Sequence, residues 1–232
     1  MVREPASPPD RALSRLSIFS LIFSLTFSLA AAQTRPTPDA LAKSLQQRYQ
    51  GIRDFAADFT HTYRGGVLRK QITERGTMAI KKPGMMRWVY TSPEKKTFVS
   101  DGQKIYSYIP EDRQVVVSTV PPDSDAPTPA LFLAGKGNIT RDFTASYADV
   151  GTPGTYSLKL VPRRPEAEYE SLVLVLDPAT LQIRGLTTFD RQAGESTFTF
   201  SNLKENQGLS DKEFAFRIPR GVDIVTDDRV SR

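Results

Sequence analysis

The chain holds one histidine and no cysteine, so few of its residues could do acid–base, nucleophilic or metal chemistry. His61 stands in an alternating stretch with Asp58 nearby, and an ester hydrolase combining a serine, His61 and a carboxylate can be drawn from that pair. However, no serine sits in the G-x-S-x-G turn that such enzymes use to expose a nucleophile. A metal cluster needs further His or Cys ligands, and the sequence has none. Gly135-Lys136-Gly137 lacks the third glycine and the preceding strand of a dinucleotide loop, and no P-loop occurs. Catalysis requires groups that converge. His61 therefore reads as structural, with the hydrolase as the alternative, and no enzyme activity, metal or cofactor is expected. Any energy input must come from a partner.

The apolar side chains are more informative. Met86, Trp88 and Tyr90 share one face of a strand, with Arg87 on the other. Met78 and Ile80 share a face of the preceding strand, and Phe98, Tyr106 and Tyr108 follow on the next two. Aromatics mixed with flexible methionines suit a hydrophobic surface that accepts variable shapes. An ordinary sandwich core has the same pattern, so these residues alone leave both readings open.

The elements that must position them are short. Thr37-Pro38-Asp39 predicts a helix start, with Thr as cap and Pro in the first helical position. Leu41, Leu45 and Tyr49 then recur every four residues, and the helix ends near Gly51. From Phe55 to Tyr63 the period becomes two, a strand with unlike faces. Turn signals follow at strand-length intervals, among them Gly65-Gly66, Lys82-Pro83-Gly84, Ser92-Pro93 and Asp101-Gly102. Short strands joined by tight turns imply a meandering antiparallel sheet. The rhythm breaks at the proline-rich loop 121–129. After it, Leu131, Phe132 and Leu133 form a short apolar segment that one or two helical turns could press onto a hydrophobic surface.

Residues 1–32 have the three parts of a secretory signal: Arg3, Arg11 and Arg15, an apolar run from Leu16 to Leu29, and Ala30-Ala31-Ala32. The run is shorter than the roughly 20 residues a membrane-spanning helix needs. Cleavage falls among Ala30 to Ala32, and Gln33 follows in place of the cysteine that an acylated product would require. Residues 33–232 are expected to form a single domain, 200 residues long with a net charge of +4. That charge is too mild and scattered for a nucleic-acid footprint.

The ordered set Gly76-Thr-Met-Ala-Ile-Lys-Lys-Pro83, Met86-Arg-Trp88, Ser92-Pro93 and Val99-Ser-Asp-Gly-Gln-Lys-Ile-Tyr-Ser-Tyr108, with Phe214-Ala-Phe-Arg-Ile-Pro219 near the end, resembles the outer-membrane lipoprotein carrier family, LolA. The resemblance implies an incomplete antiparallel β-barrel, a half-barrel, with an α-helical lid over a hydrophobic cavity. It also implies a periplasmic monomer that takes acylated lipoproteins from an ATP-driven complex in the inner membrane. The acceptor would lie at the outer membrane. A sensor or regulator of the same fold is the related alternative. A 16-carbon acyl chain left in water costs on the order of 12 kcal/mol, so such cargo needs a shielded cavity that reopens. The cavity would be lined by Met78, Ile80, Met86, Trp88, Tyr90, Phe98, Tyr106 and Tyr108, and the lid formed by Leu41, Leu45, Tyr49, Leu131, Phe132 and Leu133. Lys82 stands where many members have an arginine that locks the lid onto backbone carbonyls. Lysine offers a flexible point charge in place of a planar fork, so the resemblance implies a weaker latch or one built elsewhere.

Overall fold

Proline is tolerated at a helix start, where its missing N–H would have no intrahelical partner. Helix α1 (Pro38–Gln50) begins in this way, and the Thr37 hydroxyl caps it by accepting from the Ala40 amide at 3.2 Å. Its four-residue stripe buries Leu41, Ala42, Leu45 and Tyr49, as the spacing predicts. The computed structural model describes Met1 and residues 35–65, 71–121, 129–149, 153–166 and 168–227. The predicted export segment, Gly66 and residues 122–128 of the proline-rich loop lie outside them. All elements below belong to one unit that begins at Pro36.

Alternating residues build the strands β1 (Asp54–Arg64), β2 (Gln71–Lys81), β3 (Met85–Ser92), β4 (Lys96–Asp101), β5 (Lys104–Ile109) and β6 (Gln114–Thr119). Two short helices follow, α2 (Pro129–Leu133) and α3 (Ile139–Asp142). The chain then forms β7 (Phe143–Tyr147), β8 (Tyr156–Pro162), β9 (Ser171–Leu176), β10 (Ile183–Phe189), β11 (Glu195–Glu205) and β12 (Asp223–Asp227). All twelve lie in one open sheet, ordered β12-β6-β5-β4-β3-β2-β1-β11-β10-β9-β8-β7. The β1–β11 pair closes the largest gap in sequence and joins the two halves. Neighbours run antiparallel, as tight turns require, except that β12 returns parallel to β6. That parallel strand departs from the purely antiparallel meander expected.

The two faces of the sheet have different covers. On the inner face α1 and α2 join one hydrophobic core with Phe55, Phe59, Met78, Ile80, Met86 and Trp88. On the outer face the segment after β11 is tied down from Asp54 onward. The Asp54 carboxylate accepts from the Gln207 amide at 2.6 Å and the Gly208 amide at 3.1 Å. Lys81 then donates to the Leu209 carbonyl, and Arg87 to that of Glu213, a residue of the 3-10 turn Asp211–Phe214. This segment brings Phe214, 1% exposed, and Phe216 onto the outer face.

Candidate functional site

Cross-strand pairing decides which aromatic belongs to which face. Met78 lies opposite Trp88, Ile80 opposite Met86, and Trp88 opposite Phe98. On the other side of β2, Met78 pairs with Ala57 and Ile80 with Phe55. These predicted residues therefore share the inner face with the odd-numbered positions of β1. Tyr90 joins them through its pairing with Gly76. Two expectations need correction. Phe98 pairs with Ser107, so Tyr106 falls opposite Val99 and Tyr108 opposite Thr97, both on the outer face. There the two tyrosines pack on Phe216 at 5.4 and 6.0 Å between ring centroids.

Sequence reasoning missed the residues on which the inner face is centred. Phe59 lies opposite Gly76, and its ring contacts the place where a side chain on Gly76 would stand. With no Cβ in the way, Phe59 meets Trp88 edge-on at 5.1 Å and Tyr90 at 4.9 Å. From β11, Phe198 and Phe200 meet Trp88 at 5.3 and 6.5 Å. The alternation in Thr197–Phe200 would have marked these two, but nothing local signals that β11 lies beside β1. Trp88 is 5% exposed, and its indole N–H has no hydrogen-bond partner among the described residues.

At one end of this face the helices come down onto the sheet. The Tyr49 ring stacks on Phe132 at 6.3 Å and meets Phe55 edge-on at 6.3 Å. Its hydroxyl donates to the Leu133 carbonyl, and burial pushes its pKa above the ordinary tyrosine value. Lys82, just past β2, donates to the Tyr49 carbonyl with its ammonium 4.0 Å from the centre of the Tyr49 ring. Its half-buried position pushes its pKa down to about 8. The Gly84 amide donates to the Ala134 carbonyl at 2.9 Å. Lys82, Tyr49, Phe132 and Leu133 thus converge, with Leu41 and Leu45 buried along the same helix. Leu131 is on α2, but its side chain lies outside the described residues. The gap between Tyr49, Phe55, Leu133 and Phe200 holds about 10 Å³, about enough for one water. With the helices down, this end is filled by protein.

The opposite end of the inner face is polar. His61 sits between Glu74 and Ser196, with Nδ1 to a Glu74 oxygen at 2.9 Å and Nε2 to the Ser196 hydroxyl at 2.8 Å. The other Glu74 oxygen accepts from Lys96 at 2.7 Å. Burial opposes the Glu74 charge, yet hydrogen bonds from Lys96 and His61 outweigh it and hold the carboxyl below its ordinary pKa. Asp58, the predicted partner of His61, faces outward and accepts from Asn202 at 2.6 Å. The order hydroxyl, imidazole, carboxylate is that of a hydrolase. Here, however, Glu74 is already neutralised by Lys96. Ser196 also sits in mid-sheet between Tyr63 and Thr188, where ladder bonds engage the amides that an oxyanion hole would need. Among the described residues no cluster of His, Asp and Glu is placed to hold a metal. No described helix is long and apolar enough to cross a membrane.

A likeness of fold alone links the chain to a solved structure, an uncharacterized conserved protein from Thermus thermophilus. The TM-score is 0.51 and the identity 13%, over 80% of this chain and 99% of that one. Sequence relatives are nearer. A Methylococcus capsulatus protein is 31% identical over 85% of this chain and 91% of its own length. A Neisseria meningitidis protein is 31% identical over 90% and 96%, and each is named outer-membrane lipoprotein carrier protein. The family model for outer membrane lipoprotein carrier protein LolA matches residues 50–217, from the end of α1 to the outer-face segment, and the chain belongs to that family.

Proposed function

We propose that the protein is a periplasmic carrier. Its inner face takes the acyl chains of lipoproteins released by an ATP-driven inner-membrane complex, and it delivers them to an acceptor at the outer membrane. The observation that carries this reading is the contrast between the inner face and its cover. The face is a continuous apolar surface from Phe55 to Phe198, while α2 is held down through a small set of polar bonds around Lys82, Tyr49 and Gly84. Taking up cargo would require these bonds to break and α1 and α2 to swing out, with acyl chains replacing the apolar contacts that Leu41, Leu45, Phe132 and Leu133 make with the core. Family membership supports lipoprotein as the cargo, and the export segment predicted at residues 1–32 supports the compartment.

The test is release from membranes. The mature protein, incubated with energised inner-membrane vesicles carrying the release complex and a radiolabelled lipoprotein, is expected to bring that lipoprotein into solution as a complex. It should then lose the lipoprotein to added outer membranes. No soluble complex would reject the carrier reading, and a stable complex that never transfers would favour a sensing role.

A further inference from the structure

The inner face is graded along the strands, and this grading assigns a direction to the cargo. At the Lys82 end, Phe55, Ile80, Met86 and Phe200 are all buried and apolar. From Phe55 to His61 on β1 is six residues, about 20 Å of strand, comparable with an extended acyl chain. Midway lies Trp88, whose buried N–H has no partner among the described residues. Beyond Trp88 the facing groups become His61, Ser196, Glu74 and Lys96, with Tyr63 and Ile72 paired at the rim, each 37% exposed. An open cavity of about 260 Å³ lies among His61, Tyr63, Ile72, Glu74, Pro93, Glu94 and Lys96, with Glu94 also 3.5 Å from the Lys96 ammonium.

Building on the carrier reading, we propose that acylated cargo lies along β1–β3 and β11 in one orientation. The methyl ends of its chains point to Lys82, and its polar, carbonyl-bearing head sits in the cavity at His61, Glu74 and Lys96, next to Ser196. The peptide then leaves between Tyr63, Ile72 and Pro93. The head of such a cargo combines ester and amide carbonyls with an amide N–H. Lys96 has three donors, the Ser196 hydroxyl both donates and accepts, and the Glu74 carboxylate accepts. Tyr90, whose phenol is kept protonated by burial and by the nearby Glu74 charge, flanks the same site. The reverse orientation would put the head among Tyr49, Phe55, Leu133 and Phe200, an apolar lining beside which Arg48 and Glu205 are already paired with each other.

Photo-crosslinking tests the direction. The protein carries p-benzoylphenylalanine in place of Ile72 or, separately, of Leu203, which borders the Lys82 end. The probe is a synthetic triacylated lipopeptide with biotin on its peptide and isotopic label in its acyl chains, and uptake is measured by co-elution before irradiation. Position 72 should capture the biotinylated peptide and position 203 the acyl label. Reversed or equal labelling with normal uptake overturns the orientation and leaves the carrier reading standing. Absence of uptake in both variants and in the unmodified protein overturns both. As a second readout, the paired substitution Glu74→Gln with Lys96→Met should weaken lipopeptide binding about tenfold, the loss of one charged hydrogen bond. Binding of a fluorescent alkane probe should not change. Equal effects on both probes would contradict the assignment of the head.

Discussion

Lys82 holds a charge at the junction of helix and sheet, and its burial has a consequence that can be measured. Burial lowers its pKa from 10.5 to about 8, and this exceeds whatever the Tyr49 carbonyl and ring return to the cation. Between these values the unfolded chain binds this proton and the folded chain does not, so its contribution to stability grows as pH rises through that interval. The difference in melting temperature between the native protein and Lys82→Met should therefore shift in favour of the native protein from about pH 7 to about pH 10. Lys82→Arg stays charged throughout, so the difference between Lys82→Arg and Lys82→Met should show no such change. A flat difference for Lys82→Met would mean that the ammonium is solvated and not held under α1. At this scale the sequence was partly legible. Met78, Ile80, Met86, Trp88 and Tyr90 could be placed by alternation alone. The partners of His61 could not, because Glu74 and Ser196 reach it from β2 and β11, on opposite sides of β1.

The connection between α2 and the sheet depends on a backbone that glycine permits. Gly135 ends α2 at φ +84°, and a Cβ there would overlap Lys82 Cγ and Cδ. Gly154 has a similar φ of +80° with open space around it, so it reports backbone strain alone. Gly135→Ala should cost about 1–3 kcal/mol and should increase binding of a hydrophobic dye as α2 loosens. Gly154→Ala should cost about 1–2 kcal/mol and leave dye binding unchanged. Urea denaturation of both variants checks this, and equal costs without added dye binding would mean that the clash is absorbed without moving the helix. Elements with local signals were legible. Thr37 and Pro38 define the start of α1, and its stripe is periodic. Tyr106 and Tyr108 were misplaced for a different reason. Alternation separates two faces, but both faces of this sheet are apolar near Phe214 and Phe216, so composition does not say which one the helices cover. β12 was missed because it is five residues long and pairs with β6, across more than a hundred residues of chain.

For the whole molecule, one open sheet needs protection on both faces. The outer face is covered by the segment from Asn206 to Ile218, which is fastened through Asp54, Lys81 and Arg87. The inner face is closed by two helices, and α2 rests on Lys82, Tyr49 and Gly84. On the carrier reading proposed here, that asymmetry separates a structural core from a surface that cargo uncovers. The antiparallel sheet could be predicted from turns and strand lengths, and its half-barrel form only from the family resemblance, whereas the joining of its halves by β1 and β11 could not, since no local pattern encodes a pairing at that distance. Trp88 is the only tryptophan and lies at the centre of the inner face, so its fluorescence reports directly on what enters. The decisive measurement is its quenching by a triacylated lipopeptide with nitroxide groups on its acyl chains, compared with the same lipopeptide without them. Acyl chains on the inner face predict saturable quenching that depends on the nitroxide and follows complex formation. A stable complex with unquenched Trp88 would contradict the account, because the chains would then lie elsewhere.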